Sequence, residues 1–194
     1  MTLLGVELLI SERRRFMETI ETLTEAEFES GRTLCSAWAP RDVLAHLIGT
    51  DTPSTYVRFA GRVNPANKLV VDESKALTRK ALTERGRRWA ENPSGSSRTV
   101  ARFLIGDVSV HHQDVLRGLG KRENVPPQIA RAILREGVIL STGTKRNLVR
   151  YRVEPTTPGS HALGRGIRVR GTGDALGLWL AGRKGLEDEL DFLS

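Results

Sequence analysis

Three side chains in this 194-residue chain are of types and spacings that could hold a metal ion: His46, Asp107 and His111. Asp107 and His111 stand four residues apart within an apolar helical pattern, which puts them one above the other on one helical face. His46, flanked by Ala45 and Leu47 in a second helical pattern, can supply the third donor if the two helices face each other. Two imidazoles and a carboxylate leave a coordination position for water or substrate, the arrangement that separates catalytic zinc from closed structural zinc. The expectation is a metal-dependent enzyme. A plainer reading stands beside it, because a lone His in an apolar helix is commonly a core residue with its polar atoms satisfied.

Other chemistry-bearing residues carry two readings each. Asp114, seven positions after Asp107, shares that face and could orient an imidazole; it could equally pair with Arg117 along the helix. His112 is turned about 100° from His111 and reads as a surface or helix-packing residue. His161 falls in a turn and reads as solvated. Cys35 precedes the start of a helix and reads as a small buried hydrophobe. Trp38, Trp89 and Trp179 read as packing anchors.

The elements that must position these groups follow from periodicity. Leu8, Leu9, Phe16, Ile20 and Leu23 repeat at helical spacing over Leu3 to Leu23, with Arg13 to Arg15 expected on the wet side. After an acidic segment from Thr24 to Gly31, Pro40 opens a helix that carries Val43, Leu44, His46, Leu47 and Ile48, with Asp42 favouring its N-terminus. Gly61 to Asn67 reads as a loop, Asp72 to Trp89 as a polar helix, and Asn92 to Ser97 as a turn. Val100 to Leu119 repeats helically and ends at Gly120, a C-cap residue type. Pro126-Pro127 opens a further helix, Gln128 to Leu140, which stops near Gly143. Then the period changes to two. Leu148 to Val153 and Ile167 to Arg170 alternate apolar with basic around a Pro/Gly-rich turn and read as a hairpin or strand pair, before Asp174 to Gly182 returns to helix. The pattern gives a mainly α fold, with a helical, metal-binding domain over residues 1–143 and a small α/β domain over 144–194.

Composition bounds the function. The length suits one large domain, or one plus a small appendage, with room for a proper core. A single cysteine excludes an internal disulfide and points to a reducing compartment, and the N-terminus lacks the marks of a secretory signal, so a cytoplasmic protein is expected. No run approaches the roughly 18 apolar residues of a membrane span. The net charge of +7 and pI near 10.2 would suit a nucleic-acid binder. The basic residues are scattered along the chain, however. Five Phe, three Trp and two Tyr supply no interleaving of rings for stacking on single strands.

The segment from Thr33 through Trp38-Ala39-Pro40-Arg41-Asp42-Val43-Leu44-Ala45-His46-Leu47 resembles the opening signature of the mycothiol-dependent maleylpyruvate isomerase family, within the DinB-like metal-binding superfamily. The family's second signature is an acidic residue, three residues, His, two residues and Asp, then an apolar stretch to Leu-Gly; Asp107 to Gly120 is similar to it. Gly171 to Arg183 is similar to the Gly-rich entry and terminal Gly-Arg of the family's C-terminal domain. The resemblance spans nearly the whole chain in order. It implies a DinB-like four-helix bundle holding a divalent metal, usually zinc, with a small C-terminal α/β domain. It also implies mycothiol as thiol cofactor.

Carried over residue by residue, His46, Asp107 and His111 are the ligands, and Arg183 is placed near a substrate carboxylate, which its planar fork suits. Two positions depart from the family. Asp107 stands where Glu is usual and is one methylene shorter. Ala39 replaces the usual Ser/Thr cap, worth about 1 kcal/mol. A metal-bound thiol ionises near neutral pH, so the implied activity is isomerisation of, or S-transfer to, a small electrophilic or acidic substrate. Two other classes stay open: a non-catalytic metal-binding or thiol-sensing module, and a basic bundle that binds nucleic acid or protein.

Overall fold

A computed structural model describes residues 3–35, 37–52 and 63–193. By contact the chain groups into two compact units, one of residues 1–104 with 111–121 and the other of 105–110 with 122–194. The helix Pro127–Leu140 therefore groups with the C-terminal strands, whereas the change of residue pattern falls at 143.

The first unit is built from α1 (Leu3–Thr22), α2 (Glu25–Ser30), α3 (Pro40–Gly49), α4 (Val63–Ser74), α5 (Arg79–Glu91), α6 (Gly95–Thr99) and part of α7 (Ala101–Gly118). Phe16 of α1 meets Trp89 of α5 and His112 of α7 edge-on, at centroid distances of 6.3 and 5.8 Å. Gly86 lets α5 approach α1 and α3 closely, since a Cβ there would lie 2.6 Å from Met17 Sδ and 3.0 Å from Leu44. Side-chain caps divide the helices. Thr24 and Glu27 form a capping box that starts α2, and Phe28 is buried, so part of the acidic segment is helical. Thr78 caps α5, which splits the single helix expected over Asp72 to Trp89, and Ser94 caps α6 inside the expected turn. The loop expected at Gly61 to Asn67 is helical from Val63 onward, and residues 61–62 lie outside the described residues.

Arg13 is also corrected. It is wholly buried, donating to Asp51 and to the Trp89 carbonyl (2.9 Å), with its guanidinium 4.4 Å from the Trp89 ring centroid. A buried charge needs this combination of counter-ion and acceptors.

In the second unit, α8 (Pro127–Leu140) crosses α9 (Gly173–Leu180) at Gly137 and Gly177, where a Cβ on either would lie within 2.4 Å of the other helix's backbone. The sheet runs β2 (Leu163–Gly164), β1 (Tyr151–Pro155), β3 (Ile167–Gly171), β4 (Leu190–Leu193). β1 and β3 pair as expected but in parallel, with Val153 opposite Val169, so they are not a hairpin. The reason is local. Residues 164–166 wrap around the start of β1, Arg165 N–H donating to Leu148 O and Ile167 N–H to Arg150 O. Gly164 and Gly166 permit this through positive φ (82° and 95°) and the lack of a Cβ that would strike the Tyr151 and Arg150 carbonyls at 2.3 Å. Trp179 of α9 packs edge-on against Tyr151 and Phe192 beneath the sheet. Among the described residues no helix is long and apolar enough to cross a membrane.

Candidate metal centre

The first histidine is set by α3. Pro40 occupies its first turn, and Asp42 accepts a hydrogen bond from Ala39 N–H at 3.0 Å, the half of a capping box that needs no side chain at position 39. Val43, Leu44 and Leu47 are fully buried and anchor the helix, holding His46 at 5% exposure. Residues 32–35, on the way into α3, lean on α7. Leu34 N–H donates to Asp114 C=O at 3.0 Å, and Gly118 has no side chain to hold Arg32 and Thr33 away. Thr33 Oγ1 ties the loop by donating to Trp38 O at 2.8 Å and accepting from Cys35 N–H at 3.1 Å.

Asp107 and His111 ride one turn apart on the unbroken helix α7, so their mutual placement is set by that helix alone. The structure brings His46, Asp107 and His111 together, with one donor atom from each lying within 4.8 Å of the others. The two imidazoles meet edge-on with centroids 4.9 Å apart. An ion with bonds of about 2.0–2.2 Å in tetrahedral geometry holds such donors about 3.3–3.6 Å apart. Side-chain rotations that move the donor atoms together by up to about 1.5 Å would reach that spacing. The donor set thus fits a divalent cation: two imidazoles, one carboxylate, both rings buried and Asp107 half-buried.

His111 is oriented from behind. Its Nδ1 lies 3.0 Å from Asp114 Oδ2, a carboxylate with no solvent exposure. With the proton on Nδ1, Nε2 carries the lone pair a cation takes, the arrangement by which a carboxylate fixes the tautomer of a metal-binding His. Trp38 lies over both rings, 4.9 Å from His46 and 5.9 Å from His111, and restrains their rotation. It touches the candidate ligands as well as packing.

One further placement differs from the sequence reading. Cys35 is not an isolated hydrophobe: its Sγ lies 3.0 Å from Asp114 Oδ2 and 3.7 Å from His111 Nδ1. No sequence signal shows this, because the contact comes from the fit of the 32–34 backbone against Gly118. His112 takes the helix-packing reading and not the surface one: it is fully buried between helices, bonded to Thr19 Oγ1 at 2.8 Å and Glu12 Oε1 at 3.2 Å. The His112 contact and the Arg15 guanidinium hold the Glu12 carboxyl below its usual range against the opposing effect of burial. His161 is exposed, as expected. Arg183 lies in the second unit, half-buried, with Nη1 3.4 Å from Ala181 O and its own carbonyl accepting from Arg146. A cavity of about 210 Å³ on another face of α3 is lined by Ala45, Ile48, Val70, Leu77, Glu73 and Arg85 and contains none of the candidate ligands.

The class these features define is a mainly α protein with a small C-terminal four-stranded sheet. No family model matches the sequence, and no curated protein matches it. Two solved structures match the fold: mycothiol-dependent maleylpyruvate isomerase and a histidine-to-alanine variant of it, with TM-scores of 0.69 and 0.68. Each is 14% identical and is aligned over 97% of this chain and 91% of its own. At that identity the likeness is one of fold.

Proposed function

We propose that the chain is a metal-dependent isomerase that uses mycothiol as its thiol cofactor and acts on a small acidic, electrophilic substrate. The observation that carries this reading is the convergence of His46, Asp107 and His111 in a fold shared with mycothiol-dependent isomerases. His46, Asp107 and His111 hold the cation, and zinc suits a two-imidazole, one-carboxylate set with a position left over. When bound, the ion supplies Lewis acidity that keeps a coordinated thiol ionised near neutral pH, ready for reversible addition to an activated double bond.

The chain's own residues do the rest. Asp114 keeps the His111 proton on Nδ1, so that Nε2 stays a donor to the cation. Trp38 shields one side of both rings from water. Arg183 binds the substrate carboxylate through its planar fork. We assign residues 1–143 as the metal-binding domain and 144–194 as the domain that carries Arg183. S-transfer would begin from the same ionised thiol; isomerisation is preferred because both fold neighbours are isomerases. The lone Cys35 fits a reducing compartment, which we take to be the cytoplasm.

The test is thermal unfolding of zinc-loaded and metal-stripped protein with mycothiol, followed by turnover of maleylpyruvate. At a mycothiol concentration 100 times Kd, Tm should rise by about 5 to 11 °C for a chain of this size. The rise should vanish on metal removal and in His46→Ala. A shift that survives both changes, or no shift with metal bound, overturns the reading.

A further inference from the structure

A second donor set lies against Nδ1 of His111. Cys35 Sγ, Asp114 Oδ2 and His111 Nδ1 form a triangle with edges of 3.0 Å (S to O), 3.0 Å (N to O) and 3.7 Å (S to N). For scale, a tetrahedral zinc ion, with bonds of about 2.3 Å to sulfur and 2.0–2.2 Å to nitrogen and oxygen, spaces its donors about 3.4–3.6 Å apart, and a larger thiophilic ion somewhat more. No edge of the triangle departs from that by more than about 0.6 Å. The fold holds the three corners firmly. His111 and Asp114 are three residues apart on α7, and Cys35 is pinned there by the bond from Leu34 N–H to Asp114 C=O. Asp114 is fully buried while Cys35 is half-exposed, so the sulfur is the corner an incoming ion meets first.

We propose that Cys35, Asp114 and His111 form a second cation site, selective for thiophilic divalent ions such as cadmium, and that it excludes use of the His46 and Asp107 side. A sulfur, nitrogen and oxygen set prefers a softer ion than a two-imidazole, one-carboxylate set does. On entry the S–H bond breaks, sulfur ligates as thiolate, and its proton leaves to solvent. The Nδ1 proton of His111 is taken up at Nε2, so the imidazole stays neutral and one proton is released per ion. Protonated Nε2 no longer has a lone pair for a cation on the His46 side. The exclusion rests on the ligand reading given under the proposed function; the sulfur site itself does not.

Cadmium NMR of metal-free protein titrated with cadmium alone separates these points, because sulfur ligation moves the cadmium resonance well downfield of nitrogen and oxygen ligation. Wild type and His46→Ala should both give one sulfur-type resonance that saturates at one equivalent. Cys35→Ser, nearly isosteric and with its fold checked by circular dichroism, should lack it. No sulfur-type resonance in wild type and His46→Ala overturns the site whatever Cys35→Ser does, as does a resonance unchanged in Cys35→Ser. A nitrogen and oxygen-type resonance coexisting with the sulfur-type one in wild type at two equivalents overturns the exclusion. With the sulfur removed, the His46 side is open, so Cys35→Ser should give a nitrogen and oxygen-type resonance that is lost when His46→Ala is added; if the His46 reading alone is wrong, Cys35→Ser and that double variant give the same spectrum while the sulfur-type resonance of wild type persists.

Discussion

Gly118→Ala reaches the site through packing alone. A Cβ at 118 would stand 2.3 Å from Thr33 Cα and 2.4 Å from Arg32 O, against 3.4 Å for ordinary contact. Both neighbours are backbone, so no rotamer change relieves the overlap, and residues 32–34 must retreat by about 1.1 Å. That retreat stretches the 3.0 Å bond from Leu34 N–H to Asp114 O beyond hydrogen-bonding range. Overpacking costs about 1–3 kcal/mol and the lost bond about 0.5–1.5 kcal/mol, while Ala in place of Gly in a helix returns up to about 1 kcal/mol. The expected net loss is about 0.5–4.5 kcal/mol. Gly5→Ala in α1 meets nothing within 4 Å and should be neutral or stabilising, so the two substitutions should differ in sign. Guanidinium unfolding with unchanged m-value measures both. Because the loop carries Cys35 and Trp38, a shift of about 1 Å should also lower turnover by as much as about 100-fold. A Gly118→Ala protein as stable as its parent would show that the loop does not rest on α7 as described.

Asp114→Asn keeps the shape but removes the charge that fixes the His111 tautomer, and should weaken zinc affinity by about 10- to 100-fold in chelator competition; unchanged affinity would sink the orienting role. Arg13→Ala leaves Asp51 facing a buried gap without its counter-ion and should destabilise by about 3–5 kcal/mol in denaturant titration, with a loss under about 1 kcal/mol contradicting the buried pair. Glu27 is held down to about 2 by Lys121 and by the Thr24 backbone N–H. A carboxyl depressed in the folded state adds stability above its unfolded value, which is lost as pH falls through the folded one, so that contribution should fade between about pH 4.5 and 2. Glu27→Gln should flatten part of that acid loss, and equal pH profiles of the urea midpoint for the two proteins would refute it.

The helices that carry the candidate ligands were legible because their signals are local. Pro40 and the apolar period fix α3, and the long period from Val100 fixes α7, so the facing of His46 on Asp107 and His111 needed only the two helices to meet. The start of α2 was equally local, yet the acidic run hid the Thr24-x-x-Glu27 capping signature. Other features depend on contacts between distant segments. The parallel pairing of β1 with β3 follows from the wrap at 164–166, which alternation of side chains does not encode. Arg13 looked solvated among three arginines until Asp51 and Trp89 closed around it. Cys35 comes to Asp114 across 79 positions through a backbone fit at Gly118.

X-ray absorption at the zinc edge, on protein freed of small thiols, tests the central claim most directly. Two imidazole nitrogens and a carboxylate oxygen at about 2.0–2.2 Å, with no sulfur, are the expected coordination shell. In His46→Ala the imidazole contribution should fall. A purified chain that takes up no zinc, or a zinc shell without imidazole, would contradict the assignment of His46, Asp107 and His111 as a metal centre.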